Sequence, residues 1–147
     1  MLHLIRDYAD RFWSFLLEDP VRPQIPTEQR VGTNRDIFVL HNDDRVDAIT
    51  CVSYQSQVPQ REAELFQPGD PTIAVFYTIW SYRQGAGREL ILNSVDRIRQ
   101  DHPYIKRFIT LSPKTDMARR FHLRNGALIC QENLETINYE YLVDNLR

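Results

Sequence analysis

The segment Thr72 to Tyr82 constrains this chain most. Its apolar residues occupy both alternating sets: Ile73, Val75, Tyr77 and Ile79 on one, Ala74, Phe76, Thr78 and Trp80 on the other. A strand that is apolar on both faces is covered on both faces, so it belongs near the middle of a sheet. Gly85-Ala86-Gly87 interrupts it, and Leu90, Ile91, Val95 and Ile98 then share one face of a helix running to about Asp101. Ile105 to Leu111 reads as the next strand. A strand, a helix and another strand in this order make a βαβ unit, whose two strands run parallel.

Around this centre the pattern changes. Ile37 to Leu40 and Val46 to Tyr54 are β-branched or apolar and flank the turn formers Asn42-Asp43-Asp44-Arg45, which predicts a β-hairpin. Ser56 to Pro71 is a long loop with a helical turn expected between Glu62 and Phe66, and loops of this length are often functional. Ser112 or Thr115 caps a helix over about Asp116 to Arg124, and Asn125-Gly126 stops it. Ala127 to Cys130 and Thr136 to Val143 read as two closing strands. At the N-terminus, Leu4, Ile5, Tyr8, Phe12, Phe15 and Leu16 recur at helical spacing and predict an amphipathic helix ended by Pro20. Pro20, Pro23 and Pro26 then make an extended connector that can wrap the domain or line a site. The fold class is mixed α/β, with a mostly antiparallel sheet flanked by helices, and 147 residues are expected to form one domain.

Charge and cysteines narrow the function. Eighteen Lys and Arg against 20 Asp and Glu leave a net charge of −2, so no global basic field draws the chain to nucleic acid or an anionic membrane. No apolar run approaches the ~20 residues that cross a bilayer, and a cytoplasmic location is expected. Cys51 and Cys130 lie far apart in apolar runs and suggest neither a redox pair nor a metal site.

A glycine turn between strand and helix lets a ligand approach the backbone and leaves the first helical N–H groups without partners. With the helix dipole these form an anion site, to which Arg83 and Arg88 add formal charge. The glycines alone fit better a tight turn that merely returns a helix across a sheet. Neither the dinucleotide fingerprint nor the P-loop pattern is present.

The stretch from Phe76 through Tyr82-Arg83-Gln84-Gly85-Ala86-Gly87-Arg88 to Leu90 resembles the coenzyme A motif of the GNAT N-acetyltransferase superfamily, Gln/Arg-x-x-Gly-x-Gly/Ala. Thr115, Ala118, His122, Gly126 and Ala127 are spaced like the family's later Asn-x-x-Ala-x-x-x-Tyr-x-x-x-Gly-Phe. The resemblance covers Thr72 to about Tyr141; residues 1–35 lie outside it. Tyr82, or Arg83 if the loop is one residue shorter, takes the first motif position, while Thr115 replaces Asn and His122 replaces Tyr. The resemblance implies that acetyl-CoA is the co-substrate, with Gln84, Gly85, Ala86, Gly87 and Arg88 around its pyrophosphate. It also implies backbone N–H groups near Thr78 and Ile79 at the acyl carbonyl, and Thr115 toward the pantetheine arm.

In this reading the chain is an N-acyltransferase acting on an unidentified amine of a small molecule, peptide or protein, and a homodimer is a further expectation from the family. His122, with an ordinary pKa near 6.5, is the leading proton donor. Ser112 can orient a water or the thioester, although its Ser-Pro context favours a helix cap. Asp47, Glu62, Glu64 and Glu140 are the carboxylates available as a base, although each fits a solvated surface charge better, and the resemblance also implies a water chain as an alternative base. A GNAT-like module that binds coenzyme A or a protein without catalysis is the alternative. A third reading comes from Phe108-Ile109-Thr110-Leu111-Ser112-Pro113, which resembles a segment of malonyl-CoA decarboxylases, whose catalytic domain shares the GNAT fold.

Overall fold

A computed structural model describes residues 1–146. One eight-stranded sheet runs through the molecule in the order β1-β2-β3-β4-β5-β8-β6, with β7 paired to β8. β1 (Leu2–Ile5), β2 (Arg35–Asn42), β3 (Arg45–Gln55) and β4 (Ile73–Ser81) form successive antiparallel pairs. Helix α1 (Ala86–Asp101) then crosses over to β5 (Arg107–Thr110), which pairs parallel to β4. β6 (Ser112–Pro113), helix α2 (Asp116–Arg124), β7 (Leu128–Glu132) and β8 (Thr136–Tyr141) complete the order. The expected hairpin, central strand and two helices are all present.

Each face of the sheet carries its own core. Phe38, Val52, Phe76 and Phe108 pack against Leu90, Ile91, Val95 and Ile98 of α1, the four helical positions expected from the periodicity. At roughly 1.5–3 kcal/mol for each large apolar side chain fully buried, this stripe is what holds α1 on the sheet. The opposite face gathers Ile37, Val39, Val75, Tyr77 and Trp80 with Phe12, Leu16 and Ile25 from the N-terminal segment.

That N-terminal segment departs from the helix expected between Leu4 and Leu16. Leu2 to Ile5 instead pair with Leu40 to Ile37 of β2, which gives their backbone groups partners that a lone helical turn would lack. Asp7 and Asp10 then bond the N–H groups of Ala9 and Phe12 through their carboxylates, a local competition that disfavours helix. Only a short 3₁₀ turn, Trp13–Glu18, follows. Tyr8, assigned by spacing to the apolar face, is 82% exposed.

A second departure lies inside β4. Its register against β3 passes from Cys51 opposite Thr78 to Val52 opposite Phe76, so Tyr77 is an extra, bulged residue. The bulge resets the alternation. Trp80 joins Val75 and Tyr77 on one face, while Ile79 crosses to the face of Phe76. Pairing of β4 with β5 ends at Phe76 opposite Thr110, and the two strands splay beyond it.

The proline connector fills the splay from the second face. Asp19 and Arg30 form an ion pair at 2.7 Å with side chains 0% and 1% exposed. Asp19 also accepts from the Thr78 hydroxyl and from the N–H groups of Val21 and Arg22. Arg30 donates further to the carbonyls of Arg22 and Ile25, so almost every charge-bearing atom in this dry cluster is bonded. Burial opposes the Arg30 charge, but Cys51 and Asp19 together hold its pKa above the ordinary value.

Removing one member leaves the other charged and buried. Arg30→Met is expected to cost about 3–5 kcal/mol in denaturant unfolding. Arg11→Ala, which breaks the exposed Arg11–Asp44 pair, should stay within about 1 kcal/mol of the parent. Equal losses in the two variants would show that the buried pair is not what secures the connector.

Candidate active site

The splay opens into a pocket of about 330 Å³ between the bulged half of β4, the β5–β6 corner and α2. Apolar groups dominate its walls, among them Val21, Phe76, Ile79, Trp80, Leu111 and Phe121. Asp and Glu are absent from its lining. The four carboxylates weighed as bases are engaged elsewhere: Asp47 with Arg45 and Arg83, Glu62 with Arg22, Glu64 with Arg61, and Glu140 with Arg107.

Ser112 and His122 meet at this pocket. Ser112 is not the cap of α2; Thr115 is, its hydroxyl accepting from the N–H of Ala118 at 3.2 Å. Ser112 instead starts β6, whose pairing with β8 aims its hydroxyl inward. Ser112 Oγ lies 3.2 Å from His122 Nε2 and 2.8 Å from Thr110 Oγ1. His122 Nδ1 lies 2.7 Å from the Tyr141 hydroxyl, and Tyr139 stacks on the ring at 4.9 Å.

Burial governs the protonation of this chain. It lowers the His122 pKa from 6.5 to about 4, so the ring is a neutral imidazole at pH 7 rather than the cationic donor expected from its ordinary value. Burial raises the Tyr141 pKa, and the phenol keeps its proton. The tautomer that satisfies all these contacts has the Tyr141 O–H donating to Nδ1 and the proton on Nε2 directed at Ser112 Oγ. Ser112 then donates to Thr110. Protons can pass along such a chain without creating a buried cation.

The glycine turn stands at the rim. Gly85 has φ +82°, with open space where a Cβ would point, and begins α1. Among the described residues the N–H groups of Gly87 and Arg88 take no acceptor, as an anion site requires. Ala86 is buried, Gln84 is exposed, and the exposed Arg88 reaches the Asn125 carbonyl while taking no carboxylate partner among the described residues. Arg83 is bonded to Asp47 and Glu89, which raise its pKa and occupy its donors. Arg88 is therefore the freer cation.

Gly87 has a different reason from the one expected. A Cβ there would lie 2.7 Å from Phe121 Cε1, so the missing side chain makes room for Phe121 of α2. Thr78 and Ile79 both line the pocket, but the Thr78 hydroxyl is committed to Asp19 and its carbonyl to Thr50. Its contribution to a ligand is left to the backbone. Thr115 also lines the pocket while serving as the α2 cap.

Spacing did not reveal Asp19, Val21, Arg22 and Thr110 as parts of this site, and it offered Tyr141 only as one of several strand aromatics able to line a pocket. The Asp-Pro-x-Arg-Pro run at Asp19 to Pro23 was the available signal, because charged residues inside a rigid connector have few ways to reach solvent on both sides. Among the described residues no group of three or more His, Cys, Asp or Glu could hold a metal ion. No helix of the structure is long and apolar enough to cross a membrane.

No protein-family model matches the sequence, and no curated protein matches it. Solved structures do match. The chain superposes on malonyl-CoA decarboxylase from Agrobacterium vitis with a TM-score of 0.80 at 18% identity, covering 99% of this chain and 61% of that one. Malonyl-CoA decarboxylase from Cupriavidus metallidurans gives 0.74 at 16% identity, with coverage of 99% and 61%. A GNAT family acetyltransferase from Elizabethkingia anophelis with acetyl-CoA bound gives 0.61 at 11% identity, covering 95% and 94%. The chain has the GNAT fold and spans about three fifths of the length of the decarboxylase chains it superposes on.

Two measurements follow from this geometry. Gly87→Ala should force Phe121 toward the pocket and cost about 1–3 kcal/mol, and Phe121→Leu in the same chain should recover part of it. Because folding lowers the His122 pKa, the unfolded chain takes up a proton below pH 6.5 that the folded chain refuses. Stability is then full above pH 6.5 and falls by about 3 kcal/mol as pH drops toward 4. His122→Phe should flatten that part of the profile in urea titrations at stepped pH.

Proposed function

We propose that this chain is an acyl-coenzyme A enzyme that completes its reaction by delivering a proton from Ser112, and that its preferred reaction is decarboxylation of a malonyl thioester. The observation that carries the reading is the Ser112 hydroxyl, bonded to a buried neutral His122, at an apolar pocket whose lining holds no carboxylate. Acetyl transfer to an amine requires a group that removes the amine's proton. Decarboxylation requires no base. It needs a site that disfavours the carboxylate, donors for the enolate oxygen and one proton for the new methyl group.

This chain's residues suit those needs. The rim N–H groups of Gly87 and Arg88, with the Arg88 cation, would hold the pyrophosphate. From Tyr77 onward β4 has no strand partner on its β5 side, and backbone donors near Thr78 and Ile79 would face the thioester oxygen. The apolar walls raise the free energy of a carboxylate relative to carbon dioxide. When the bond between the α-carbon and the carboxylate breaks, the electron pair passes into the thioester enolate. Ser112 O–H then protonates the α-carbon, and the His122 Nε2–H and Tyr141 O–H restore the hydroxyl at the expense of one solvent proton. Acetyl-CoA and carbon dioxide are the products.

The second reading is N-acetyl transfer. The GNAT structures at TM-scores of 0.61–0.66, including one with acetyl-CoA bound, support it. There Ser112 with His122 would protonate the departing thiolate, and the proton shed by the attacking amine would pass to solvent water.

Malonyl-CoA incubated with the purified chain, with carbon dioxide and acetyl-CoA quantified together, separates the readings. The expectation is equal amounts of both products, reduced by about 10²–10⁴-fold in Ser112→Ala. Amine-dependent thiol release from acetyl-CoA, with no carbon dioxide from malonyl-CoA, would establish N-acetyl transfer instead. Tight coenzyme A binding with neither reaction would mark a binding module.

A further inference from the structure

We infer that Arg22, on the proline connector, is a positioning residue that sets the distance between the two halves of the reaction centre; the inference rests on the acyl-CoA reading above. Its guanidinium donates from Nε to the Tyr77 carbonyl at 2.7 Å and from Nη2 to the Leu111 carbonyl at 2.8 Å. These carbonyls belong to the two central chain segments at the point where they part. The β4–β5 ladder ends at Phe76 and Thr110, with a last bond from the Leu111 N–H to the Phe76 carbonyl. Arg22 supplies the next cross-link, which the backbone itself can no longer make.

The residue after each clamped carbonyl is a site residue. Thr78 follows Tyr77, and Ser112 follows Leu111. One planar side chain therefore spaces the backbone facing the thioester oxygen against the hydroxyl that delivers the proton. A guanidinium is suited to this because its donors diverge at fixed angles, whereas an ammonium on a flexible stem binds as a point charge.

Arg22 is held in turn from three sides. Asp19 accepts from its N–H, Arg30 donates to its carbonyl, and Glu62 of the loop between β3 and β4 pairs with Nη1 at 2.9 Å. The Arg22 residue is 8% exposed. Substrate does not need to touch it for it to matter, since a misplacement of ~1 Å at a reaction centre costs on the order of 100-fold in rate.

The test is Arg22→Lys in the full chain, read as kcat and KM for malonyl-CoA (or for acetyl-CoA with an amine), with calorimetric affinity for coenzyme A alongside. The expected result is a kcat lower by about 100-fold with coenzyme A affinity within about threefold, because the rim site lies apart from the clamp. Parallel loss of kcat and affinity, or a folded variant with the parent's kcat, would overturn the inference. If Arg22→Lys does not fold, Glu62→Ala frees the guanidinium at its more exposed end. A several-fold fall in kcat at unchanged affinity is then expected, and an unchanged kcat would overturn it.

A readout independent of turnover separates failure of the clamp from failure of the acyl-CoA reading. Nitrogen-15 spectra of labelled histidine report the His122 Nε2–H bond to Ser112 whether or not the chain is catalytic. Arg22→Lys should shift or broaden that resonance while His3 and His102 stay in place. An unaltered His122 signal would overturn the clamp, whereas a shifted signal in a chain that turns over neither substrate would retain the clamp and discard the reading.

Discussion

A charge cluster sealed beneath the bulge of β4 is the constraint on which the rest of this molecule depends. Asp19 and Arg30 are both removed from water, a state tolerable only because their partners are in place: Thr78, Cys51, the N–H groups of Val21 and Arg22, the carbonyls of Arg22 and Ile25, and each other. A buried pair of this kind is not a large source of stability in itself. Its effect is selective, since any arrangement that moved the connector away from β4 would strand a charge. The proline run is thereby locked to the place where the pairing of β4 with β5 ends.

That failure is what creates the site. A regular β4–β5 ladder would leave no space between the strands and no backbone groups free of strand partners. The bulge at Tyr77 ends the ladder, the connector covers one side of the gap, and α2 covers the other with Phe121 seated in the notch of Gly87. The hydroxyl–imidazole–phenol chain of Ser112, His122 and Tyr141 then enters a space that is dry enough to keep the imidazole neutral. On the reading proposed above, the same burial that keeps His122 uncharged suits it to relay a proton, and the same apolar walls suit a reaction that requires no base.

The spacing of apolar residues made much of the fold legible. Leu90, Ile91, Val95 and Ile98 could only share a helical face, and the doubly apolar β4 could only be central. The helix expected between Leu4 and Leu16 failed because four residues at an edge can satisfy either period, and pairing with β2 decided between them. The bulge was invisible for a related reason: a run apolar on both faces reads the same after its alternation slips by one. Of the site, Ser112, His122, Thr115 and the glycine turn were legible as residue types at suggestive spacing, but the Ser112–His122 contact and the roles of Arg22, Asp19 and Tyr141 were not.

The sequence by itself determined the order of elements, the central βαβ unit, the glycine turn at Gly85 and the presence of a histidine on the late helix, because these rest on local periodicity and on residues with restricted backbone choices. Tertiary structure alone decided that Arg83 is spent on Asp47 and Glu89, that Gly87 serves helix packing, and that His122 is neutral. It alone brought Arg22 to carbonyls 55 and 89 residues away. Hydrogen bonding, desolvation and close packing depend on which groups become neighbours, and that is fixed only when the whole chain has closed around them.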